Sequence, residues 1–218
     1  VSEYFGLYKS TVHNILSTLK AMEYLEQDEE TGKYRLGIQI FNLSKALGDT
    51  YSITKIAGPY MQELSNYTGE RCYLAVPYRQ EVLYLDAMYP ADSIELMRSI
   101  LGERAQMHCT GLGKAMLANM GEREISDYLE HHKLEAFTEN SIIDKKQFRE
   151  ELLRTKQRGY ALDDMEHEFG IKCIAMPVFD RTKNVYAAIS ISGMANHFTD
   201  ANICLLYTSP SPRDRSLS

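Results

Sequence analysis

Four polar side chains in the C-terminal part of the chain are of types that could surround a small ligand. They are Asp163, Cys173, Ser190 and Ser192, and all four fall on segments predicted as short strands or turns. Side chains alternate between the faces of a strand, so the segment 186–192 turns both serines to the same face as Ala188. Such a small, hydroxyl-bearing face leaves room for a polar ligand, and it equally suits a strand whose polar face meets water. These residues by themselves leave both interpretations open.

The glycine-containing segment 111–113 suggests what such a ligand would be. It precedes a predicted short helix, and the free backbone N–H groups of a helix start can bind an anion. Glycines let a ligand approach the backbone, so a carboxylate fits at Gly111 and Leu112. An ionised Asp163 would repel that carboxylate unless it accepted a hydrogen bond from a ligand hydroxyl. We therefore predict a small organic acid of the keto, hydroxy or sugar-acid type.

Two other kinds of chemistry could use the same residues. Asp163, Cys173 and His108 could form a cysteine nucleophile with its base and orienting group, as in a small hydrolase. The same three, or His108 and Cys109 with Cys173, could hold zinc. No neighbouring sequence marks a reactive thiol, and the spacing is not that of a metal module. We predict no enzyme, metal site or cofactor; His108 would hydrogen-bond the loop before the predicted helix, and Cys72 and Cys109 would be buried.

The segment 10–25 has the periodicity of an amphipathic helix. Its apolar stripe consists of Val12, Ile15, Leu16, Leu19 and Met22, and Ser10 is its predicted N-cap. The opposite face carries short hydrogen-bonding side chains, which reach phosphates and base edges when a helix lies in the major groove. The predicted DNA contacts are Lys9, Ser10, Thr11, His13, Asn14, Ser17 and Thr18, with Lys33 and Arg35 from the segment that follows.

A β-hairpin is predicted after this helix, from short strands at 24–26 and 33–36 around a turn that contains Gly32. Helix and hairpin in this order form the end of a winged helix-turn-helix, and the same pattern also occurs in an ordinary surface helix and hairpin. A second helix is predicted over 38–47. Its single apolar stripe could pair with the same stripe of another copy in a dimer.

From about residue 53 onwards, strands alternate with helices. The predicted elements are a helix from Pro59 to Gly69, a hairpin of 72–77 with 82–87, a strand over 94–98, helices over 112–120, around 126–129 and between Asp144 and Gly159 (burying Phe148, Leu152 and Leu153), and a hairpin of 173–179 with 185–192. Strands that pair with sequence neighbours indicate an α+β domain with an antiparallel sheet. Cys173 would share the serine face if it paired with Ser192 across a four-residue loop, 181–184.

Composition narrows the class of protein. The 218 residues carry a net charge of −6, which disfavours broad nucleic-acid binding but allows a small module with a basic face. No apolar run reaches membrane-spanning length and no signal segment opens the chain, so we expect a cytoplasmic protein with no membrane partner. The four cysteines contain no CxxC pair, which is typical of a reducing compartment.

Three motifs in order, STVHNILSTLKAMEYLEQDEETGKYRLG, GERAQMHCTGLGKAMLA and GYALDDMEHEFGIKCIAMPVFD, resemble the IclR family of bacterial transcriptional regulators. The resemblance implies an N-terminal winged helix-turn-helix, a linker helix and a GAF/PAS-like effector domain. It also implies a homodimer or tetramer that binds a double-stranded DNA operator and responds to a small organic acid or aromatic metabolite. The pocket residues that carry over are Asp163, Cys173, Ser190, Ser192, backbone groups of Gly111 and Leu112, and the apolar wall positions Ile94 and Met97.

The chain also departs from the family pattern. It starts at what resembles the second helix of the DNA module, Asn14 stands where the family often has arginine, and the closing helix is cut after Asn202. The tail LLYTSPSPRDRSLS resembles a translated sequencing adapter, and a native disordered tail is the alternative. We predict a partial DNA-binding domain at 1–36, a linker helix at 37–52, an effector domain at 53–203 and a non-native tail at 204–218. The alternatives are a metabolite-binding domain without working DNA binding and, less favoured, the hydrolase.

Overall fold

The computed structural model describes residues 1–50, 53–92 and 100–199. It divides into two compact units, Val1–Ile53 and Thr54–Ser218. The predicted wall residues Ile94 and Met97, the strand predicted over 94–98 and the tail 204–218 lie outside the described residues. Within the described ranges, no helix is both long enough and apolar enough to cross a membrane.

The first unit contains the predicted helix and hairpin. Its elements are α1 (Ser2–Phe5), α2 (Lys9–Ala21), β1 (Leu25–Gln27), β2 (Tyr34–Leu36) and α3 (Gln39–Thr50), and β1 pairs antiparallel with β2. The N-cap prediction was wrong, because α2 begins one residue before Ser10 and Tyr8 occupies the cap position. The predicted C-terminal end was also too late, since the chain leaves the helix at Met22 and Glu23 has a left-handed backbone with φ of 59°.

The apolar stripe of α2 is only partly covered. Val12 is 8% exposed, whereas Ile15 and Met22 are 47% and 52% exposed. Gly37 fixes the start of the segment that leads into α3, because a Cβ there would lie 2.2 Å from the carbonyl oxygen of Glu23. Its N–H donates to the carbonyl of Tyr24, so the hairpin returns to the end of α2.

The second unit contains one six-stranded sheet. Its elements are α4 (Ile53–Thr68), β3 (Arg71–Tyr78), β4 (Glu81–Met88), β5 (Arg104–Gln106), α5 (Gly111–Leu117), α6 (Glu122–His131), α7 (Lys145–Arg158), β6 (Ala161–Asp164), β7 (Ile171–Phe179) and β8 (Val185–Met194), followed by a 3-10 turn at Ala195–His197. The strand order is β5-β4-β3-β8-β7-β6, and all neighbours are antiparallel. The predicted α+β class with an antiparallel sheet is confirmed.

Local chemistry explains several boundaries in this unit. Arg79 and Gln80 both have φ above 50°, as a two-residue hairpin turn requires between β3 and β4. Asp144 caps α7 by accepting the N–H of Gln147 at 2.8 Å, and Gly159 ends it with φ of 83°. Both ends of α7 were predicted from the sequence.

Two predictions in this unit were wrong, and one strand was missed. Helix α4 begins six residues before Pro59, so this proline lies inside the helix, where it costs one backbone hydrogen bond. Strand β5 was not predicted, since three residues are too few to show alternation. Leu153 is 57% exposed, because it points about 100° away from the buried face that Phe148, Leu152 and Thr155 form at helical spacing.

The main core lies between the sheet and helices α5, α6 and α7. Its largest members include Met107, Met116, Tyr128 and Phe148, each no more than 1% exposed. A smaller cluster of Ile174, Ile191 and Phe198 packs with Leu64 of α4 and with Tyr160 and Leu162. Side chains on the face of the sheet that is turned to α5 are therefore buried, and a cavity can form on this face next to the core.

Candidate functional site

The register of the sheet sets the predicted polar residues side by side. Asp163 of β6 pairs with Cys173 of β7, which pairs with Ser192 of β8, which pairs with Arg71 of β3. Directly paired residues share a face, so these four form one cross-strand row. The predicted pairing of Cys173 with Ser192 is confirmed. The loop between β7 and β8 has five residues instead of four, and a register shift next to Phe179 accommodates the extra residue.

A second row runs parallel to the first, two positions along each strand. It consists of Tyr73, Ser190, Ala175 and Ala161 on β3, β8, β7 and β6. Ala175 and Ala161 are at most 1% exposed, and their small side chains leave space above the sheet. The two rows therefore form a polar floor with one aromatic edge.

A cavity of about 380 Å³ lies over this floor. Six of the predicted effector residues line it together: Asp163, Cys173, Ser190, Ser192, Gly111 and Leu112. The sequence did not identify several other lining residues, namely Arg71, Tyr73, Tyr84, Ile100, Glu103, Arg104, Ala105, Thr110, His167, Glu168 and Ile171. Arg71 and Tyr73 could have been found by pairing β3 with β8, because alternate residues of an adjacent strand face the same side.

Asp163 is buried within this site. The residue is only 3% exposed, and its Oδ1 accepts a hydrogen bond from the backbone N–H of Glu166 at 2.8 Å. Burial raises the pKa of Asp163 to about 6, although this hydrogen bond and the charge of Lys114 favour the ionised form. The carboxyl group can therefore carry or lose a proton near neutral pH.

Cys173 is a hydrogen-bonded thiol. Its Sγ donates to Ser192 Oγ at 3.0 Å, and burial raises the pKa of the thiol far above its usual value. A nucleophilic cysteine needs the thiolate, which this environment disfavours. The geometry thus suits a group that contacts a ligand and opposes the hydrolase alternative.

A buried ion pair stands behind Asp163. Lys114 of α5 is fully buried, and its Nζ donates to Glu166 Oε1 and to the carbonyl of Leu162. The second oxygen, Glu166 Oε2, is buried and has no hydrogen-bond partner among the residues that the structure describes. Burial raises the pKa of Glu166 to about 7, against the opposing effect of Lys114. One cation therefore serves two adjacent carboxyl groups.

The start of α5 is held close to the sheet. Thr110 Oγ1 accepts the N–H of Gly113 at 3.2 Å, which caps the helix with a side chain. A Cβ on Gly113 would lie 2.3 Å from the backbone of Met107, so this position requires glycine. A Cβ on Gly111 would lie 3.4 Å from the Cβ atoms of Ala175 and Cys173. The backbone at Gly111 and Leu112 thereby reaches the cavity.

His108 has a structural role. The sequence predicted that it would hydrogen-bond the loop before α5, but its partners lie elsewhere. It is fully buried, and Nε2 lies 2.9 Å from the carbonyl oxygen of Glu135, beyond α6. The hydroxyl of Tyr128 lies 3.4 Å from Nδ1. Cys72 and Cys109 are fully buried, as predicted. Within ranges 1–50, 53–92 and 100–199, no group of three or more His, Cys, Asp or Glu side chains could hold a metal ion.

The polar face of α2 is exposed in the first unit. The exposed residues are Lys9, Ser10, Thr11, His13, Asn14, Ser17 and Thr18, together with Lys33 and Arg35 near β2. Thr18 Oγ1 donates to the carbonyl of Asn14 at 2.9 Å. Arg35 Nε donates to Glu26 Oε2 at 2.8 Å across the hairpin, so its charge is paired on the surface.

A second cavity, of about 340 Å³, lies in the second unit and contains none of the predicted residues. Its lining includes Arg79 and Gln80 of the β3–β4 turn, Asp127 and Tyr128 of α6, and Asn184. Gln80 hydrogen-bonds Asp127 there. The polar side chains that converge from four strands line the cavity of about 380 Å³ and not this second cavity.

Known proteins resemble both units. Residues 1–29 match the family description "IclR helix-turn-helix domain", and residues 45–208 match "Bacterial transcriptional regulator IclR C-terminal". The HTH-type transcriptional regulator XynR of Escherichia coli K12 is 32% identical over 203 residues, or 93% of this chain and 80% of that protein.

Solved structures show the same fold. The IclR structure from Thermotoga maritima has 29% identity and a TM-score of 0.76, over 94% of this chain and 82% of that one. An IclR homologue from Microbacterium hydrocarbonoxydans, solved in complex with 4-hydroxybenzoate, has 23% identity and a TM-score of 0.82, over 94% of this chain and 84% of that one. The chain thus belongs to the IclR family and is a bacterial transcriptional regulator, not an enzyme.

Proposed function

We propose that a small organic acid controls this regulator by binding in the cavity over β3, β8, β7 and β6. Asp163, Cys173, Ser190 and Ser192 would contact it with their side chains, and residues 111–112 with their backbone. Ile94 and Met97, outside the described residues, are proposed as apolar wall. The observation that carries the proposal is that six residues chosen from the sequence line one cavity of about 380 Å³.

A hydroxyl or keto group on the acid suits the polar groups around the cavity. Both serines can donate or accept, and Asp163 accepts a hydroxyl proton when ionised or donates its own when protonated. The homologue from Microbacterium hydrocarbonoxydans was solved with 4-hydroxybenzoate, which carries a carboxylate and a hydroxyl group. This supports the hydroxy-acid, keto-acid or sugar-acid class for the present chain.

We propose that the exposed face of α2 enters the major groove of an operator. Lys9, Ser10, Thr11, His13, Asn14, Ser17 and Thr18 would contact bases and phosphates, and Lys33 and Arg35 of the hairpin would contact the backbone. A wing contact by Arg35 would replace its surface pairing with Glu26. Exposed ion pairs of this kind contribute about 0–1 kcal/mol, so the exchange costs little.

We further propose the domain division given by the sequence: DNA binding at 1–36, linker at 37–52, effector binding at 53–203 and a non-native tail at 204–218. The separation of the chain into units at Ile53 supports the main boundary. A homodimer or tetramer would pass the effector signal through the linker helices, and a DNA-binding regulator would act in the cytoplasm. Such coupling requires an effector that prefers one arrangement of the DNA modules.

Two measurements test the proposal. Calorimetric titration with hydroxy, keto and plain carboxylic acids should give binding that weakens about tenfold in Ser190→Ala. Tyr67→Phe, at an exposed position of α4, serves as the control. Binding restricted to neutral aromatic compounds would refute the acid proposal. An electrophoretic shift with operator DNA, with and without the acid, tests DNA binding separately.

A further inference from the structure

Arg71 occupies one end of the cross-strand row whose other end is Asp163. The two residues are three strand spacings apart, with Ser192 and Cys173 between them. At 4.7–4.9 Å per spacing, their Cα atoms stand roughly 14 Å apart. The row thus has a permanent positive charge at the β3 end and a titratable carboxyl group at the β6 end.

The surroundings of Arg71 keep its side chain at the cavity. Arg71 lines the cavity and is half-buried. Burial raises the pKa of Tyr73, and a hydrogen bond from the Arg71 side chain opposes that rise. The Tyr73 and Tyr84 rings meet edge to face with centroids 5.8 Å apart. Arg71 therefore stands beside an aromatic wall that also lines the cavity.

The cavity lining contains a second guanidinium group, that of Arg104 on β5, which is not part of the cross-strand row. Arg104 pairs with Glu81 at 3.3 Å and lies 4.9 Å from the centroid of the Tyr78 ring. The lining also contains Glu103 and Glu168, so an anion that enters this cavity meets carboxylate side chains as well as guanidinium groups. Arginine presents a planar fork of donors that matches a carboxylate in a bidentate manner.

The size of the cavity sets the length of the ligand. A volume of about 380 Å³ lies at the lower end of the range, roughly 300–1,000 Å³, found for pockets that hold drug-sized ligands. A two- or three-carbon acid would leave most of this space unfilled. A six-carbon or aromatic acid could reach from the β3 end to the β6 end of the row.

We propose that Arg71 binds the effector carboxylate and selects acids long enough to place a hydroxyl group near Asp163. This assignment rests on the proposed acid effector and gives it an orientation across the strands. The acid would lie along the row, with its middle over Ser192 and Cys173 and its hydroxyl at β6. Its carboxylate would be at β3 and not at the backbone of 111–112, as the sequence suggested, because Gly111 lies beside Cys173 in the middle of the row. The aromatic wall of Tyr73 and Tyr84 would cover one side.

The test uses the full chain and four probes: pyruvate, gluconate, 4-hydroxyphenylacetate and the uncharged 4-hydroxyphenylacetamide. We expect the wild type to bind at least one of the two longer acids more tightly than pyruvate, and to reject the amide. Arg71→Gln should weaken the binding of that acid about 10- to 100-fold, as loss of a charge-assisted pair predicts. Arg71→Lys should fall between the two, because it keeps the charge and loses the fork.

Arg123→Gln is the matched control, since it removes one guanidinium charge at an exposed position of α6 outside the cavity lining, and it should change the affinity less than about twofold. Melting temperatures without ligand check that each variant is folded. Equal affinity of wild type and Arg71→Gln for the acid would overturn the assignment while leaving the acid effector intact. If the wild type binds only the uncharged amide, the acid-effector proposal and this assignment are both refuted.

Discussion

The buried cluster of Lys114, Glu166 and Asp163 predicts that the stability of the effector unit falls as pH rises from 5 to 8. Glu166 and Asp163 belong to the same short segment, and Lys114 is fully buried against Glu166. Other titratable groups that influence Asp163 or Lys114 are Cys109, Tyr84, Cys173, Glu151 and His108. Burial lowers the pKa of His108 and His167, so these histidines change the stability in the opposite direction, and the effect of the cluster is measured as a difference between variants. The perturbation that isolates the cluster is Glu166→Gln, which removes one charge and nearly keeps the shape.

The magnitude follows from the two pKa values. Burial raises the pKa of Asp163 from 3.8 to about 6 and that of Glu166 from 4.5 to about 7. Because both are raised on folding, the stability they contribute is fully present below about pH 4 and is lost as pH rises through 6 to 7. At about 1.4 kcal/mol per pKa unit, each carboxyl group accounts for about 3 kcal/mol, and mutual coupling makes the pair worth about 3–6 kcal/mol.

Urea unfolding of the full chain at several pH values, followed by far-UV circular dichroism, measures this effect. In Glu166→Gln, the Glu166 contribution vanishes, and the pKa of Asp163 falls because a neighbouring negative charge is gone. The loss of stability between pH 5 and 8 should therefore shrink to less than half of the wild-type loss. Glu130→Gln, at an exposed position of α6, should leave the pH dependence unchanged. Equal pH slopes in wild type and Glu166→Gln would refute the reasoning.

Three further substitutions test other parts of the chain, the first two against a matched control. Gly113→Ala should destabilise the protein by about 2–3 kcal/mol in urea unfolding, because the added Cβ would overlap the Met107 backbone. In the control, Gly58→Ala, the added Cβ would make an ordinary contact with a Met88 methyl group at 3.5 Å, so this variant should not be destabilised in this way. Phe148→Ala should cost about 3–5 kcal/mol and the exposed Leu153→Ala about 0.5 kcal/mol, and similar costs for the two would contradict the assigned helix face. Lys33→Ala should reduce the slope of log K against log salt concentration for operator binding, measured by fluorescence anisotropy, by about one. An unaltered slope would show that Lys33 does not contact the DNA backbone.

The local part of this structure could be predicted from the sequence, because it depends on neighbouring residues. Alternation predicted that Ser190 and Ser192 share a face, and the need for a common site predicted the pairing of Cys173 with Ser192. Asp144 and Gly159 marked the ends of α7 by cap chemistry that spans only a few residues. The resemblance to the family then predicted which of these residues would face a ligand.

Periodicity alone was less dependable where burial depends on distant partners. The apolar character of Leu153 predicted a core position, yet the buried face of α7 is about 100° away. The sequence predicted that a helix begins at Pro59, but α4 extends on both sides of this residue. Strand β5 exists because Arg104–Gln106 can pair with β4, and three residues cannot show that pattern on their own.

The sequence by itself determined the α+β class, several of the helices and strands, and the polar residues of β6, β7 and β8. Only the tertiary structure decided that Arg71 and Tyr73 complete the same two rows, and that Lys114 reaches Glu166 across 52 positions of the chain. The physical reason is that side-chain alternation is a property of one strand. The choice of neighbouring strand, and of the ion that is buried with a carboxylate, depends on packing energies summed over the whole unit.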